Sequence, residues 1–457
     1  MVITIKRPIT TPVVKNRQAT GTAEPTLSDL SPQQDMILRR IENGENICVT
    51  GPGGVGKSFL LKLVRDRMLE RGGCYVSAST GVAAVNVSGC TLHSLLGVGL
   101  YNEEKVDINA IVTKALSNKR TRARLCAIRT LIVDEISMVD AEFLEIASRV
   151  LAAAREHPHP FGGVQVVFFG DFLQLPPVKK FKKFEYAFEA EVWREARVRT
   201  FELTEIFRQT DKEMITHLNR VRMGEAPAST VQFFRQFVRP PTLRDDPVQL
   251  VTHRYQSDRI NDDELRRICS PLEQIEAVDR GIPQFVASLD KNCIAPKVLC
   301  LKPGARVMNI RNNYQTGLIN GDAGYYWRGD PKNGVLSVVM DRRNRAPDEE
   351  QVVSQLERDT WEINSGEQCL ASRMQFPLIL AWAITVHKSQ GMTLDSMQAQ
   401  LRGCFAEGQT YVALSRARNP DSLFLDYFDE SMVFANRRAV EFHQIASRRL
   451  LRGFVLK

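Results

Sequence analysis

The sequence predicts an α/β nucleotide-binding fold in two lobes, with a small all-β insertion in the second lobe. Three observations lead there. Residues 51–58, GPGGVGKS, fit the G-x-x-x-x-G-K-[ST] phosphate-binding loop at every fixed position, after the apolar run 47–49 and before a helical pattern at 59–69. Short apolar runs alternate with helical patterns along much of the 457 residues, a length that suits two to four domains. From 301 to 340, LKPGARVMNI, LINGDAGYYWRG and GVLSVVM instead alternate short β patterns with Gly and Asn turns, and strand-like segments run on to about 375.

Residues 1–30 open the chain with Lys6, Arg7, Lys15 and Arg17 and no acid before Glu24. That basic start has the charge of a mitochondrial transit peptide, but its Thr, Val and Pro content favours a disordered tail over an amphipathic helix. Ser31 then caps a helix, with Gln34 as its capping-box partner three residues on. In the phosphate loop, Gly51, Gly53, Gly54 and Gly56 let backbone N–H groups turn inward around a polyphosphate. Lys57 reaches the β- and γ-phosphates, Ser58 ligates Mg²⁺, and the following helix N-terminus favours an anion. Gly51, Gly53 and Gly56 also spell G-x-G-x-x-G, yet the second strand at 74–77 runs into Ala78, Ser79 and Thr80 without the carboxylate a dinucleotide ribose needs.

The stretch 74–97, CYVSASTGVAAVNVSGCTLHSLLG, reads as a strand, a turn and a small-residue helix leading to Thr91 and His93. Its hydroxyls, amides and N-termini suit backbone phosphates, although His93 alone reads as a structural histidine. Within the polar stretch 101–129, Lys119, Arg120, Arg122 and Arg124 read first as a solvated helix face. LIVDEISMVD at 131–140 is a buried strand ending in Asp134 and Glu135, placed to hold the Mg²⁺ water shell and to activate the attacking water. A helical pattern at 143–154 precedes 164–169, an apolar central parallel strand. Asp171 and Gln174 beyond its end would face the nucleotide, Gln174 as the γ-phosphate sensor.

KKFKKFEYAF at 179–188 interleaves lysines with Phe181, Phe184, Tyr186 and Phe188, the composition of a single-strand channel, but packing of Phe188 and Trp193 at a core edge is the preferred reading. Arg208 in LTEIFRQ (203–209) and Arg416 in GQTYVALSRAR (408–418) are the cations that a second lobe facing the phosphate loop must supply. ILAWAITVHKSQGMTLD at 379–395 returns to the main sheet with Thr385, His387 and Lys388 on a polar turn, and 434–457 reads as a basic helix with Arg437, Arg438, Arg448 and Arg449. The net charge of +8 suits a polyanionic partner. Nine cysteines scattered singly between positions 48 and 404, without a C-x-x-C pair, read as reduced thiols of an intracellular protein. No run of eighteen apolar residues and no secretory core is present, so a soluble chain with no membrane partner is expected.

Taken together and in this order, LSPQQ, GPGGVGKS, STGVAAVNVSGCTLHSLLG, LIVDEISMVD, PFGGVQVVFFGDFLQLPPV, LTEIFRQ, LKPGARVM, LINGDAG, AITVHKSQGMTLD and YVALSRAR resemble a DNA helicase of superfamily 1, group B, and more narrowly the Pif (petite integration frequency) family of the RecD-like group. The resemblance spans about 30–418. It implies two RecA-like P-loop NTPase lobes, at 31–200 and at 201–304 with 376–430, a Src-homology-like β-barrel at 305–375, a small wedge near 97–120 and a basic C-terminal helix at 431–457. By the same resemblance Gln34 reads adenine, Lys57 and Ser58 hold phosphates and Mg²⁺, and Asp134 and Glu135 serve metal and water. Gln174, Arg208 and Arg416 would meet the γ-phosphate, while Asn86, Thr91, His93, Thr385, His387 and Lys388 lie along the DNA. The implied activity is ATP- and Mg²⁺-dependent, 5′ to 3′ translocation of a monomer on single-stranded DNA with unwinding of tailed duplexes, in replication, repair or recombination. A DNA-dependent ATPase that remodels nucleoprotein without unwinding is the alternative. One departure is His253-Arg254 where the family commonly has Thr-Asn, and no role is carried onto that loop.

Overall fold

Ser31 opens the first helix, α1 (Pro32–Glu42), through a reciprocal capping box: Ser31 Oγ accepts from Gln34 N–H and Gln34 Oε1 accepts from Ser31 N–H. The computed structural model describes residues 29–98, 106–177, 183–242, 245–313, 318–330, 334–341, 353–365, 368–404 and 406–454. The expected tail, apart from Asp29 and Leu30, lies outside the described residues. After α1 come β1 (Ile47–Thr50), α2 (Lys57–Glu70), β2 (Cys74–Ala78), α3 (Gly81–Asn86), β3 (Cys90–Thr91), α4 (Leu92–Leu96), α5 (Ile108–Leu116) and α6 (Lys119–Ala127). Then follow β4 (Thr130–Asp134), α7 (Ala141–Arg155), β5 (Gln165–Phe169), α8 (Glu191–Glu195) and β6 (Arg199–Glu202).

The six strands make one parallel sheet in the order β3-β2-β4-β5-β1-β6. A parallel strand covered on both faces must be apolar at successive positions, because neighbouring side chains point to opposite faces. In β5, Val167 and Phe169 join Ile37, Leu60 and Val64 of α1 and α2, while Val166 and Phe168 join Phe143, Leu144 and Ile146 of α7. Each such side chain contributes about 1.5–3 kcal/mol by leaving water. In the expected wedge region, α5 and α6 pack on α7; residues 99–105 lie outside the described residues.

The chain continues through α9 (Lys212–Arg222), α10 (Ala228–Arg235), β7 (Val248–Val251), α11 (Arg254–Arg267), β8 (Glu273–Glu276), β9 (Val278–Gly281), α12 (Pro283–Asn292), β10 (Val298–Leu301), β11 (Arg306–Asn309), β12 (Ala323–Asp330) and β13 (Val335–Met340). It ends in β14 (Val353–Glu357), β15 (Asp359–Ser365), β16 (Gln368–Gln375), β17 (Leu378–Leu380), β18 (Ala383–Thr385), β19 (Met397–Ala399), α13 (Gln409–Leu414), β20 (Leu423–Leu425) and α14 (Arg437–Phe454). A second parallel sheet has the order β18-β7-β19-β20. Between its strands lies an antiparallel body, with a five-stranded sheet β14-β13-β12-β11-β17, a three-stranded sheet β15-β16-β9 and the pair β10-β8.

Two placements differ from the reading by pattern. Antiparallel pairing already begins at β8, ahead of residue 305, since β8 and β9 are mostly exposed and offer no apolar run to notice. In addition, β6 extends past residue 200 and pairs with β1, so the segment leading to Arg208 hangs from the first sheet. The aromatic residues near 184–193 are packing residues. Phe188 stacks on Phe442 of α14 at 4.1 Å, Trp193 stacks on Phe168 at 5.3 Å, and Arg438 pairs with Glu189 while lying over Phe184 and Tyr186. Residues 178–182, which hold Lys179, Lys180, Phe181 and Lys182, lie outside the described residues. No helix among the described residues is long and apolar enough to cross a membrane.

The antiparallel body is tied together at Arg373 of β16. Its guanidinium, 1% exposed, bonds Asp279 of β9 at 2.7 and 2.8 Å, also pairs with Asp290 of α12, and donates to the carbonyls of Leu289 and Ala295. Arg373→Ala is expected to cost about 3–5 kcal/mol because Asp279 is left without its cation. A lowered urea midpoint, followed by the fluorescence of Trp361 on β15, checks it.

Candidate active site

The phosphate loop is shaped by glycines that a side chain would not replace. Gly51 and Gly54 have φ of +142° and +88°, and a Cβ would lie 2.4 Å from Leu203 O at the first and 2.4 Å from Arg208 Cβ at the second. Residues 203–208 therefore press along the loop, and Phe207 N–H donates to Gly54 O at 2.8 Å. No side chain caps α2, whose N-terminal N–H groups stay available to an anion. Lys57 Nζ donates to Gly51 O at 2.7 Å and to Pro52 O at 2.9 Å, carbonyls of its own loop. Gln34, 2% exposed, combines the two roles open to it: Oε1 makes the cap, and Nε2 would be 2.6 Å from a Cβ on Gly56, so its amide edges the loop.

Asp134 ends β4, and its Oδ1 accepts from Glu135 N–H at 2.9 Å. Glu135 has φ +51°, a left-handed conformation unfavourable for a residue with a Cβ, and it turns the chain sharply at the floor of the cleft. Asp171, 1% exposed, does not face open space as its position beyond β5 suggests. It takes a bidentate pair from Arg222 of α9, at 2.9 and 3.0 Å, and a bond from Gln174 Nε2 at 3.0 Å. Across the cleft, Gln390 Nε2 reaches Gln174 Oε1 at 3.5 Å.

Arg208 and Arg416 converge on Gly53 from two bodies. A Cβ there would be 3.1 Å from Arg208 Nη1 and 3.2 Å from Arg416 Nη2. Arg208, carried by the loop after β6 and so by the first sheet, crosses to donate to Thr393 Oγ1, Ser415 O and Gly391 O at 3.0–3.3 Å. Arg416, 1% exposed and placed after α13, donates to Val412 O at 2.9 Å, Ser415 Oγ at 2.8 Å, and the carbonyls of Ser389 and Met392. Neither has a carboxylate partner among the described residues. Burial pushes Arg416 down to about 9, with Arg208's charge adding to it, and pushes Arg208 down to about 10. Two cations held on carbonyls and hydroxyls beside a glycine loop, with Glu135 acting on Arg416 only through space, fit a polyphosphate. Ser58 and Asp134 offer the hydroxyl and carboxylate oxygens that suit Mg²⁺ between them.

Two residues of the cleft escape sequence reasoning. Tyr411 Oη of α13 accepts from Gly53 N–H at 2.8 Å, linking the second body to the loop. Its sequence signal is its place at the head of YVALSRAR, which assigns it no role; the structure makes it part of a helix whose every residue is buried. Arg222 carries a better signal, since it falls on the apolar face of α9 with Met214, Leu218 and Val221.

The six residues assigned to DNA by resemblance lie near strand ends of the two sheets. Asn86 is exposed at the end of α3, Thr91 caps α4 by accepting from Ser94 N–H, and His93 is exposed with its ring stacked on Phe143 at 3.7 Å. Thr385 is buried at the end of β18, where its Oγ1 accepts from Lys388 N–H; His387 is exposed and Lys388 half-buried. Of the basic run before β4, Lys119, Arg120 and Arg122 are exposed, with Arg122 paired to Glu156, whereas Arg124 donates to the carbonyls of Ser94 and Leu95.

Burial raises Glu135 from 4.5 to about 8, with the neighbouring Asp134 charge adding to it, and burial raises Asp134 to about 6. The folded, nucleotide-free cleft thus holds the proton of Glu135 while the unfolded chain releases it near 4.5. Stability drains away as pH rises from the unfolded value through the folded one. Glu135→Gln, which cannot ionise, should therefore melt progressively higher than the parent chain between about pH 5 and about pH 8 without nucleotide or Mg²⁺, as thermal scans across that range will read.

Comparison with known proteins agrees with this geometry. A family model described as PIF1-like helicase matches residues 29–229, and one described as DNA helicase Pif1, 2B domain, matches residues 284–325. ATP-dependent DNA helicase PIF1 of Xenopus laevis is 36% identical over 439 residues, covering 94% of this chain and 67% of that protein. The chain thus spans about two thirds of the length of the curated relatives it matches. Among solved structures, Pif1 helicase from Candida albicans is 36% identical with a TM-score of 0.69, over 91% of this chain and 99% of that one. Bacteroides Pif1 in complex with ADP-AlF4 is 30% identical with a TM-score of 0.78, over 92% and 97%. Bacteroides Pif1 bound to ssDNA is 31% identical with a TM-score of 0.60, over 91% and 96%. With the glycine loop, the acid pair and both cations in place, the chain belongs to the PIF1-like helicase family.

Proposed function

We propose that this chain is an ATP-driven DNA helicase that moves 5′ to 3′ on single-stranded DNA and unwinds duplex. The observation that carries it is the meeting of Arg208 and Arg416 at Gly53, because two guanidinium groups held by carbonyls and hydroxyls at a phosphate loop suit neutralising charge on a transferred phosphoryl group. Relatives named as ATP-dependent DNA helicases, and a Bacteroides relative bound to single-stranded DNA, support DNA as the polymer. The direction of travel follows from family membership.

ATP would be the substrate whose hydrolysis drives movement, and Mg²⁺, when bound, would supply positive charge against its phosphates. In this reading Gln34 orients the base and Lys57 leaves its loop carbonyls for the phosphates. Ser58 and Asp134 hold the metal, and Glu135 accepts a proton from the attacking water. Gln174 senses the γ-phosphate and, through Gln390, the approach of the second sheet. Asn86, Thr91 and His93 on one side and Thr385, His387 and Lys388 on the other contact the DNA strand. Opening and closing of the cleft then shifts one set against the other. One chain carries both arginines, so a monomer completes the site.

Lys57→Ala is expected to abolish ATP turnover while circular dichroism and salt-dependent DNA binding persist. On singly tailed duplexes, ATP should release strand from a 5′-tailed substrate and not from a 3′-tailed one; DNA-stimulated turnover with no strand release from either would leave a translocase. Affinity for single-stranded DNA should fall steeply with salt, with slope set by the phosphates neutralised, as fluorescence anisotropy at several salt concentrations will read.

A further inference from the structure

α14 reaches the ATP cleft through a buried chain of hydrogen bonds. Ser447 Oγ lies 2.6 Å from Glu202 Oε2, at the end of β6. Glu202 Oε1 accepts from Arg222 Nη1 at 3.3 Å, and His443 Nε2, one turn before Ser447 on α14, is 3.4 Å from the same oxygen. Arg222 gives its other edge, Nε and Nη2, to both oxygens of Asp171, and Asp171 Oδ2 also takes Gln174 Nε2. Glu202, Arg222, Asp171 and Gln174 are all 6% exposed or less.

Three features make this more than packing. One guanidinium is shared by two buried carboxylates, so each must find the rest of its hydrogen bonds elsewhere. For Glu202 they come from α14, where the His443 ring faces it and the Ser447 hydroxyl lies 2.6 Å away, nearer than the 3.0 Å to its other acceptor, His443 O. The planar fork of Arg222 also fixes the angle between Glu202 and Asp171, since each carboxylate takes a different edge of it. Moving Glu202 therefore turns Arg222, and turning Arg222 moves the oxygen that holds Gln174.

We infer that Arg222, Glu202 and Ser447 are positioning residues for Gln174, and that the C-terminal helix is thereby part of the ATP-hydrolysing machinery. The inference rests on the reading of Gln174 as γ-phosphate sensor. None of the three touches nucleotide. They act by holding Gln174 where a developing negative charge on the γ-phosphoryl group meets it, so their loss appears in turnover and not in ground-state binding.

The test uses the full chain. In Ser447→Ala, kcat for DNA-stimulated ATP hydrolysis should fall about threefold to tenfold, the size of one ordinary net hydrogen bond. Affinity for ADP with aluminium fluoride should fall in step, while KM for ATP and affinity for ADP alone stay within about twofold, since only an interaction made in the transition state is lost. Ser447→Thr should restore kcat. Glu202→Gln, which keeps an acceptor and removes the charge, should repeat the pattern and serves if Ser447→Ala folds poorly. Unchanged kcat in both variants, or equal weakening of ADP and of ADP with aluminium fluoride together with a lower melting temperature, overturns the inference in favour of a structural role. Gln174→Ala separates the two levels: if it leaves kcat intact, the sensor reading fails; if it lowers kcat while Ser447→Ala and Glu202→Gln do not, only the link to α14 fails.

Discussion

Buried Arg416 and half-buried Arg208 border the same glycine with no ion-paired carboxylate among the described residues, and two such close charges persist only when the surrounding structure holds them in place. The restraint is visible in their partners. Arg416 spends its donors on carbonyls and a hydroxyl of its own body, which fixes it to the turn after α13. Arg208 starts on the first sheet's side and spends its donors on the other body, so it already spans the cleft. The glycines of the loop, the strap of residues 203–208 and the burial of α13 all serve to bring these two groups to one point. An anion arriving there removes a penalty as well as gaining contacts.

The acids of the cleft face the opposite problem. Asp134 and Glu135 are adjacent, share the cleft floor and lose hydration together, which is why both hold their protons more tightly than a free carboxylate. Asp171 sits a short distance away at the end of the neighbouring strand and stays below the ordinary carboxylate range, because the Arg222 fork outweighs its burial. Three carboxylates at the ends of two adjacent parallel strands thus divide into two kinds. One pair becomes comfortable only when a cation joins it, and one acid is permanently neutralised by its own protein.

The parts of this arrangement that are legible in sequence are those whose chemistry is local. GPGGVGKS announces itself because a backbone cradle needs its glycines within one short loop, and β4 and β5 do so because burial on both faces demands an unbroken apolar run. The attachment of Arg208 to the first sheet is not legible, because β6 carries polar residues on an edge strand and its pairing with β1 leaves no strong apolar mark. Tyr411 and Gly53 are separated by 358 positions, and Arg222 and Asp171 by 51, so no local pattern joins either pair. The run of aromatics before α8 shows the converse: rings and charges in one stretch resemble a channel for bases, yet Phe442, far along the chain, is what covers them.

Tyr411 gives the cleft a further property. The N–H of Gly53 has a single hydrogen, and Tyr411 Oη already accepts it at 2.8 Å. A phosphate oxygen and a phenol cannot both be the strong acceptor of that hydrogen. While the tyrosine holds it, one donor of the loop is withheld, and withheld by the body that also carries Arg416. Under the proposed function, an oxygen that took this hydrogen would have to exchange with the phenol, so the free energy of binding would contain the work of releasing Tyr411 from the loop. In that sense the single bond between Gly53 and Tyr411 would tie the loop's free donors to the spacing of the two bodies.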